Sequence, residues 1–264
     1  MVIRKGNFKN SAKANTMMPR QETTLEWIAG HAGVKRLCRI AGIAAFILIG
    51  YSVVTMILLV TIGTQPLTVE ECFAMLQENK LVGLLRLDIL TVIFIPLYYV
   101  LFAGLYFGLK ESNRGITTLS VIMVFIGVTL FLATPSVFSW LYLSNRYAGA
   151  VTPEEQRRLI AAGEVLFASD MWHGTGAIVG SILTQLGGIF ISWVMLKSAV
   201  FSKLTAYTGL VTHGVDFLHI FAGFIFPAAS TLLMAVAGPL YLLWFFLVGR
   251  KLLQIGKGKA RLLR

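Results

Sequence analysis

The chain has 264 residues, of which 56% are hydrophobic and only 13% charged, and its mean hydropathy is +0.76. A soluble domain carries about twice that share of charge, so these values exclude an ordinary soluble enzyme or binding module and point to an integral membrane protein. The formal net charge of +11 follows the orientation of membrane spans and implies no nucleic-acid partner.

Residues 1–22 are polar, basic and aperiodic, and read as a flexible tail. Thr23 and Glu26 have capping-box spacing, which predicts a short helix ahead of Gly30 and Gly33. His31 falls in this lead-in as a solvated histidine. Apolar runs long enough to cross ~30 Å of hydrocarbon as helix, ~17–25 residues, predict six spans at 37–62, 87–109, 116–132, 171–196, 204–222 and 228–248. The first is too long for the apolar core of a secretion signal and follows a long polar segment, so it is expected to be retained. The expected fold is an all-α polytopic membrane helix bundle with six transmembrane helices. A basic tail occupies 1–33, the transmembrane domain 34–250, and a second basic tail 251–264.

Lys and Arg are held back on the cytoplasmic side. With the N-terminus inside, the outer segments receive only Lys80, Arg86, Arg146, Arg157 and Arg158 of the 23 basic residues. Of the acidic residues only Glu22, Glu26 and Glu111 fall inside. Both termini are therefore expected in the cytoplasm and the protein in the plasma membrane. The basic tails are placed to touch anionic lipid, at about 1 kcal/mol per well-placed charge. Trp140 and Trp172 are expected at the outer boundary, Trp193 and Trp244 at the inner one, and no tryptophan at mid-bilayer. Cys38 and Cys72 fall on opposite faces, which excludes a bridge between them.

In outer loop 1, Thr68-Val69-Glu70-Glu71 is a second capping box, and the apolar Phe73, Leu76 and Leu81 that follow are expected on the membrane interface. Outer loop 2 repeats the device in Thr152-Pro153-Glu154-Glu155, with proline at the first helical position. Both loops should carry short interfacial helices. Each is followed by an aspartate at the mouth of the returning span, Asp88 and Asp170. The returning spans all end on a basic residue, Lys110, Lys197 or Arg250, which suggests three parallel hairpins, the third lacking its outer helix. Pro96 and Pro239 should kink spans two and six. Pro135 should close span three ahead of a polar-aromatic segment at 136–147.

The fourth span and its continuation into the fifth hold the candidate site. Gly176, Gly180, Thr184 and Gly188 recur every four residues, so they line one helix side where a neighbouring backbone can approach closely. His213, Asp216 and His219 recur every three and share a face that should point into protein. Ionisable groups at membrane depth are costly unless paired or wet, which marks them as a functional site by default. His173, His213, Asp216 and His219 are candidate ligands for a divalent metal such as zinc. The same set could relay protons, and His173 with His219 could ligate haem iron. Against these stands structural pairing, with Asp88 and Asp170 satisfying backbone amides at helix starts. The chain has no HExxH zinc helix, GxSxG nucleophile turn or Walker loop.

The run Leu143-Ser144-Asn145-Arg146-Tyr147-Ala148-Gly149-Ala150, then 152–157 and Ala161-Ala162-Gly163-Glu164, with Leu196-Lys197-Ser198, Phe201-Ser202-Lys203-Leu204 and the closing segment 244–252, resembles a large family of uncharacterised prokaryotic six-span membrane proteins, catalogued as a domain of unknown function. The resemblance covers most of 37–256. It implies the six-helix topology and an integral-membrane location, and brings no chemistry with it. Three function classes stay open. A structural or accessory protein, bound to lipid or to a protein partner of unknown identity, is favoured over a small proton-coupled transporter and over a membrane-embedded metal-dependent enzyme with a His/Asp site in the outer half.

Overall fold

The computed structural model describes residues 30–134 and 137–259. The predicted Thr23–Glu26 cap, most of the N-terminal tail, the last five residues of the C-terminal tail, and Pro135 lie outside the described residues. The architecture is all-helical, with six helices long and apolar enough to cross a membrane. Span one is α1 (Ala32–Thr61). It is followed by two short helices, α2 (Val69–Glu78) and α3 (Lys80–Arg86). Span two is built from α4 (Ile89–Phe94) and α5 (Leu97–Leu109), and span three is α6 (Arg114–Ala133). Two more short helices, α7 (Val137–Ala148) and α8 (Pro153–Ala168), precede the last three spans, α9 (Thr175–Lys197), α10 (Lys203–Ile225) and α11 (Pro227–Gly256).

The spans form a ring in chain order. α1 packs on α5, α5 on α6, α6 on α9, α9 on α10 and α10 on α11, and α11 closes back on α1. Small residues set several of these approaches, because lipid offers no hydrophobic drive for helices to associate and close van der Waals contact must supply it. A methyl group on Gly180 would lie 2.6 Å from the Gly127 carbonyl oxygen, and one on Gly187 would lie 2.8 Å from the Ser120 carbonyl oxygen. The seam between α1 and α11 is made the same way, with Gly42 meeting Leu253 and the Gly249 carbonyl oxygen at 2.8 and 2.9 Å. Toward the end where α1 starts and α11 ends the ring is packed solid by Leu101, Phe102, Leu105, Met195, Trp244 and Leu252, each 0% exposed.

Several span ends differ from the sequence expectation for local reasons. Span two breaks at Pro96, which has no N–H to give; Tyr98 and Tyr99 bond instead to carbonyls three residues back, on Ile95 and Pro96. α11, by contrast, runs unbroken through Pro239. Span four starts at Thr175 and not at Met171, because the Asp170 carboxylate accepts the N–H groups of Trp172 (2.8 Å) and His173 (3.1 Å) and folds 170–173 into a turn, leaving Gly174 as N-cap. Asp88 does cap a helix, accepting from Thr91 N–H at 3.3 Å, and holds a left-handed backbone (φ 59°) to do so. Aspartate tolerates that region better than most residues.

The four short helices form a crown over the opposite end of the ring. Thr68 and Thr152 cap α2 and α8 through the N–H groups of Glu71 and Glu155, at 3.1 and 3.2 Å. The polar-aromatic segment at 136–147 is, from Val137 on, the helix α7. Phe73 and Leu76 do not lie on the membrane interface; each is 1% exposed and packed among Val69, Cys72, Trp140 and Tyr147, while Leu81 is exposed. An amphipathic helix buries its stripe against whatever apolar surface is nearest, and here that surface is α7. Trp140 is buried with them. Trp244, placed at the inner boundary by the sequence, is fully buried in the ring, with its ring 4.7 Å from that of His213.

Candidate functional site

The small-residue stripe of α9 faces two neighbours. Gly176 and Gly180 lie against Thr134 and Gly127 of the third span, whereas Gly188 turns toward α10, where an added methyl would sit 2.4 Å from His213 Cγ. Thr184 spends its hydroxyl on the Gly180 carbonyl at 2.8 Å. The stripe brings α10 close enough for side chains of α9, α10 and α11 to meet inside the ring.

There Gln185, His213, Asp216 and Tyr241 form one hydrogen-bonded group. Gln185 Nε2 donates to Asp216 Oδ2 at 2.7 Å, and the Tyr241 hydroxyl lies 2.8 Å from the same oxygen. Gln185 Oε1 is 2.8 Å from His213 Nδ1 and 2.8 Å from the Tyr241 hydroxyl. With the Gln185 amide donating to Asp216, its carbonyl is left to accept, so the proton on His213 is on Nδ1. The Tyr241 hydroxyl has one proton for two acceptors, and the carboxylate is the stronger. His213 Nε2 has no hydrogen-bond partner, and the ring is fully buried beside Trp244. One turn along α10, His219 Nδ1 stands 3.6 Å from Asp216 Oδ1, beyond hydrogen-bond reach.

This group forms one wall of a cavity of about 370 Å³. All six spans line it, through Tyr51, Tyr98, Phe131, Gln185, Asp216 and Tyr241 among others. Among the described residues Asp216 is its one charged lining residue. The aromatic wall is continuous: Tyr241 and Phe245 are 5.6 Å apart between ring centroids, and Phe245 and Tyr98 are 5.9 Å apart. A second cavity of about 400 Å³ adjoins the first, sharing Thr55 and Met234, and reaches the crown through Gly63, Thr64, Gln65 and Arg86. Arg86 there is neutralised by Glu71 at 3.2 Å and donates from Nε to the Thr64 carbonyl at 2.6 Å. Asp88 also lines this entrance. Its carboxylate takes the Thr91 hydroxyl, which in turn meets the Tyr51 hydroxyl, so a side-chain chain links the entrance to the chamber.

The metal set read from the sequence is not brought together. His173 sits in the crown, its Nδ1 3.1 Å from both Asp170 Oδ1 and the Phe167 carbonyl and its ring stacked on Phe167. His213 is occupied by Gln185, and Asp216 has only His219 beside it. Among the described residues no three His, Cys, Asp or Glu side chains converge on one point that could take an ion. The haem pairing fares no better, since His173 lines a crown pocket of about 170 Å³ that His219 does not reach. The reason is geometric. Spacing within α10 puts its three polar residues on adjoining turns, but His173 belongs to a turn folded over the crown by Asp170.

Sequence reasoning passed over Gln185, Tyr241, Tyr51 and Thr91. A signal existed for the first: an amide in the middle of an apolar span needs a partner within the bundle. The tyrosines carried none, because a tyrosine in a span reads equally well as packing. No family model matches the chain, and no curated protein or solved structure is similar to it.

Proposed function

We propose that this is a plasma-membrane protein with both termini in the cytoplasm that receives a small solute from the outer face into the six-helix chamber, as a small carrier. The observation that carries the reading is the placement of Asp216, among the described residues the single charged group lining a cavity to which every span contributes. A purely structural bundle has no need of a carboxylate facing a cavity at membrane depth, where such a charge is costly, nor of a void where packing would stabilise it. A chamber of about 370 Å³ is at the small end of the ~300–1,000 Å³ range of ligand pockets. The adjoining cavity reaches the crown, and the ring is closely packed where α1 starts and α11 ends, which supports entry of the solute from the crown side.

The test is labelling of a Ser181→Cys variant, whose side chain lines the chamber, by a membrane-impermeant methanethiosulfonate. Modification of intact cells from outside is the expected result. A thiol that reacts from neither side, or only from the inner one, overturns the reading.

A further inference from the structure

Resting on that reading, we infer that the solute is a small organic monocation, a protonated amine with an apolar body, whose ammonium group is received by Asp216 and whose body lies against the aromatic wall. Charge, shape and free valence all point the same way.

The charge follows from counting what faces the two cavities. Among the described residues no basic side chain lines the chamber, and the one basic side chain of the entrance, Arg86, is already matched by Glu71. Asp88 and Asp216 are left, each held by neutral hydroxyl or amide donors. An anion entering this path would meet two carboxylates in succession, and a neutral solute would leave Asp216 with only His219, 3.6 Å away, to offset its charge. A monocation removes the cost of the buried charge on arrival. A divalent ion is not suited, because it requires several converging oxygen or nitrogen ligands and Asp216 supplies the only carboxylate of the chamber.

The shape follows from the rest of the lining. Tyr51, Tyr98, Tyr241 and Phe245 surround the space beside Asp216. Aromatic faces attract cations, more strongly when water is removed, and they also accommodate a hydrocarbon body. An inorganic ion such as sodium would leave most of this wall unused. The free valence lies at Asp216 Oδ1. Oδ2 already accepts from Gln185 and Tyr241, whereas Oδ1 has only the distant His219 Nδ1, itself without a hydrogen-bond partner. Thr55, at the junction of the two cavities, also has a buried hydroxyl with no partner. An ammonium group with three donors can be passed from Asp88, past Thr55, to Asp216.

The experiment uses full-length protein in lipid nanodiscs and the Ser181→Cys variant, with protection from methanethiosulfonate as readout. The probes are alkylammonium ions graded from methylammonium to 2-phenylethylammonium, with 2-phenylethanol and 3-phenylpropionate as neutral and anionic controls. Protection is expected from the larger ammonium ions alone. Adding Asp216→Asn should weaken it about tenfold or more, measured against that variant's own unprotected labelling rate. That substitution keeps an oxygen for Gln185 and Tyr241, so the fold is retained. Equal protection by the alcohol or the carboxylate, protection by none of the probes, or insensitivity to Asp216→Asn overturns the amine assignment and leaves the chamber standing. A Ser181→Cys thiol that is never labelled overturns the carrier reading, and this inference with it.

Discussion

Gly163 and Val69 make the tightest joint in the crown, and altering them tests how the crown is held. A methyl on Gly163 would lie 2.3 Å from Val69 Cγ1, 3.2 Å from Cγ2 and 3.3 Å from Cβ. Rotation of Val69 brings only partial relief: it can turn its Cβ hydrogen toward the new methyl, but one methyl stays near 3.2 Å and Cβ at 3.3 Å, tighter than ordinary contact. Gly163→Ala thus forces α8 away from α2, at about 1–3 kcal/mol for overpacking, offset by about 1 kcal/mol of improved helix propensity. The net, about 0–2 kcal/mol, raises the detached population by up to about thirtyfold. Cys72 reports it, since it is fully buried in the same cluster. Burial, with added repulsion from Asp170 and Glu71, pushes its thiol up to about 12 from an ordinary 9.0. At pH 8 a thiol titrating near 12 is ionised about once in ten thousand molecules and one titrating near 9 about once in ten, so full exposure is worth about a thousandfold in alkylation rate. Iodoacetamide modification of Cys72, resolved from Cys38 by peptide mass spectrometry, should accelerate about tenfold in Gly163→Ala. Val69→Ala alone leaves a void and should also accelerate it. The double variant, with the new methyl filling that void, should be slower than the product of the two by about 1–2 kcal/mol of coupling. Additive effects, or slower alkylation in Gly163→Ala, would refute the argument.

Gln185→Leu removes the donor to Asp216 and the acceptor for His213 and Tyr241, and is expected to lower unfolding stability in mixed micelles by about 2–4 kcal/mol; an unchanged transition would mean that the group is not formed. Gly188→Ala, whose methyl would meet the His213 ring at 2.4 Å, should cost more than Gly176→Ala, which meets only the Thr134 hydroxyl at 2.9 Å, the difference being about 1–2 kcal/mol in the same assay. For Cys72 the folded-state titration point is raised, so its contribution is complete below about pH 9 and is lost as pH rises toward about 12. Wild-type protein should therefore lose stability over that window faster than Cys72→Ala, and parallel curves for the two would contradict the burial described.

The six spans were legible because crossing hydrocarbon demands long apolar runs whatever else the chain does. The caps at Thr68 and Thr152 were legible too, since their partners lie three residues away. Asp170 was open to misreading because an aspartate ahead of a helix can bond its N-terminal amides or fold the residues before it into a turn, and only the position of Gly174 decides. Phe73 and Leu76 showed their amphipathic stripe but not its partner, since membrane and α7 are equally apolar. The group around Asp216 joins residues 25 to 56 positions apart, and no local period encodes which turn of α9 faces which turn of α11. The polar face of α10 was visible from spacing; the chamber in front of it depended on how five other helices were arranged around it.

The ring order has a bearing on how the chain assembles. Five of its six helix contacts join consecutive spans, so each can form as soon as its second helix enters the bilayer. The sixth, between α1 and α11, joins Gly42 to Gly249 and Leu253, and has to wait until nearly the whole chain has been synthesised. Until α11 arrives, Asp216 and Gln185 lie in an open arc without Tyr241, and until the seam shuts the arc has two free edges rather than an interior. The seam is also the one joint that can part without separating any pair of neighbours along the chain, which makes it the natural place for the finished ring to open sideways to lipid.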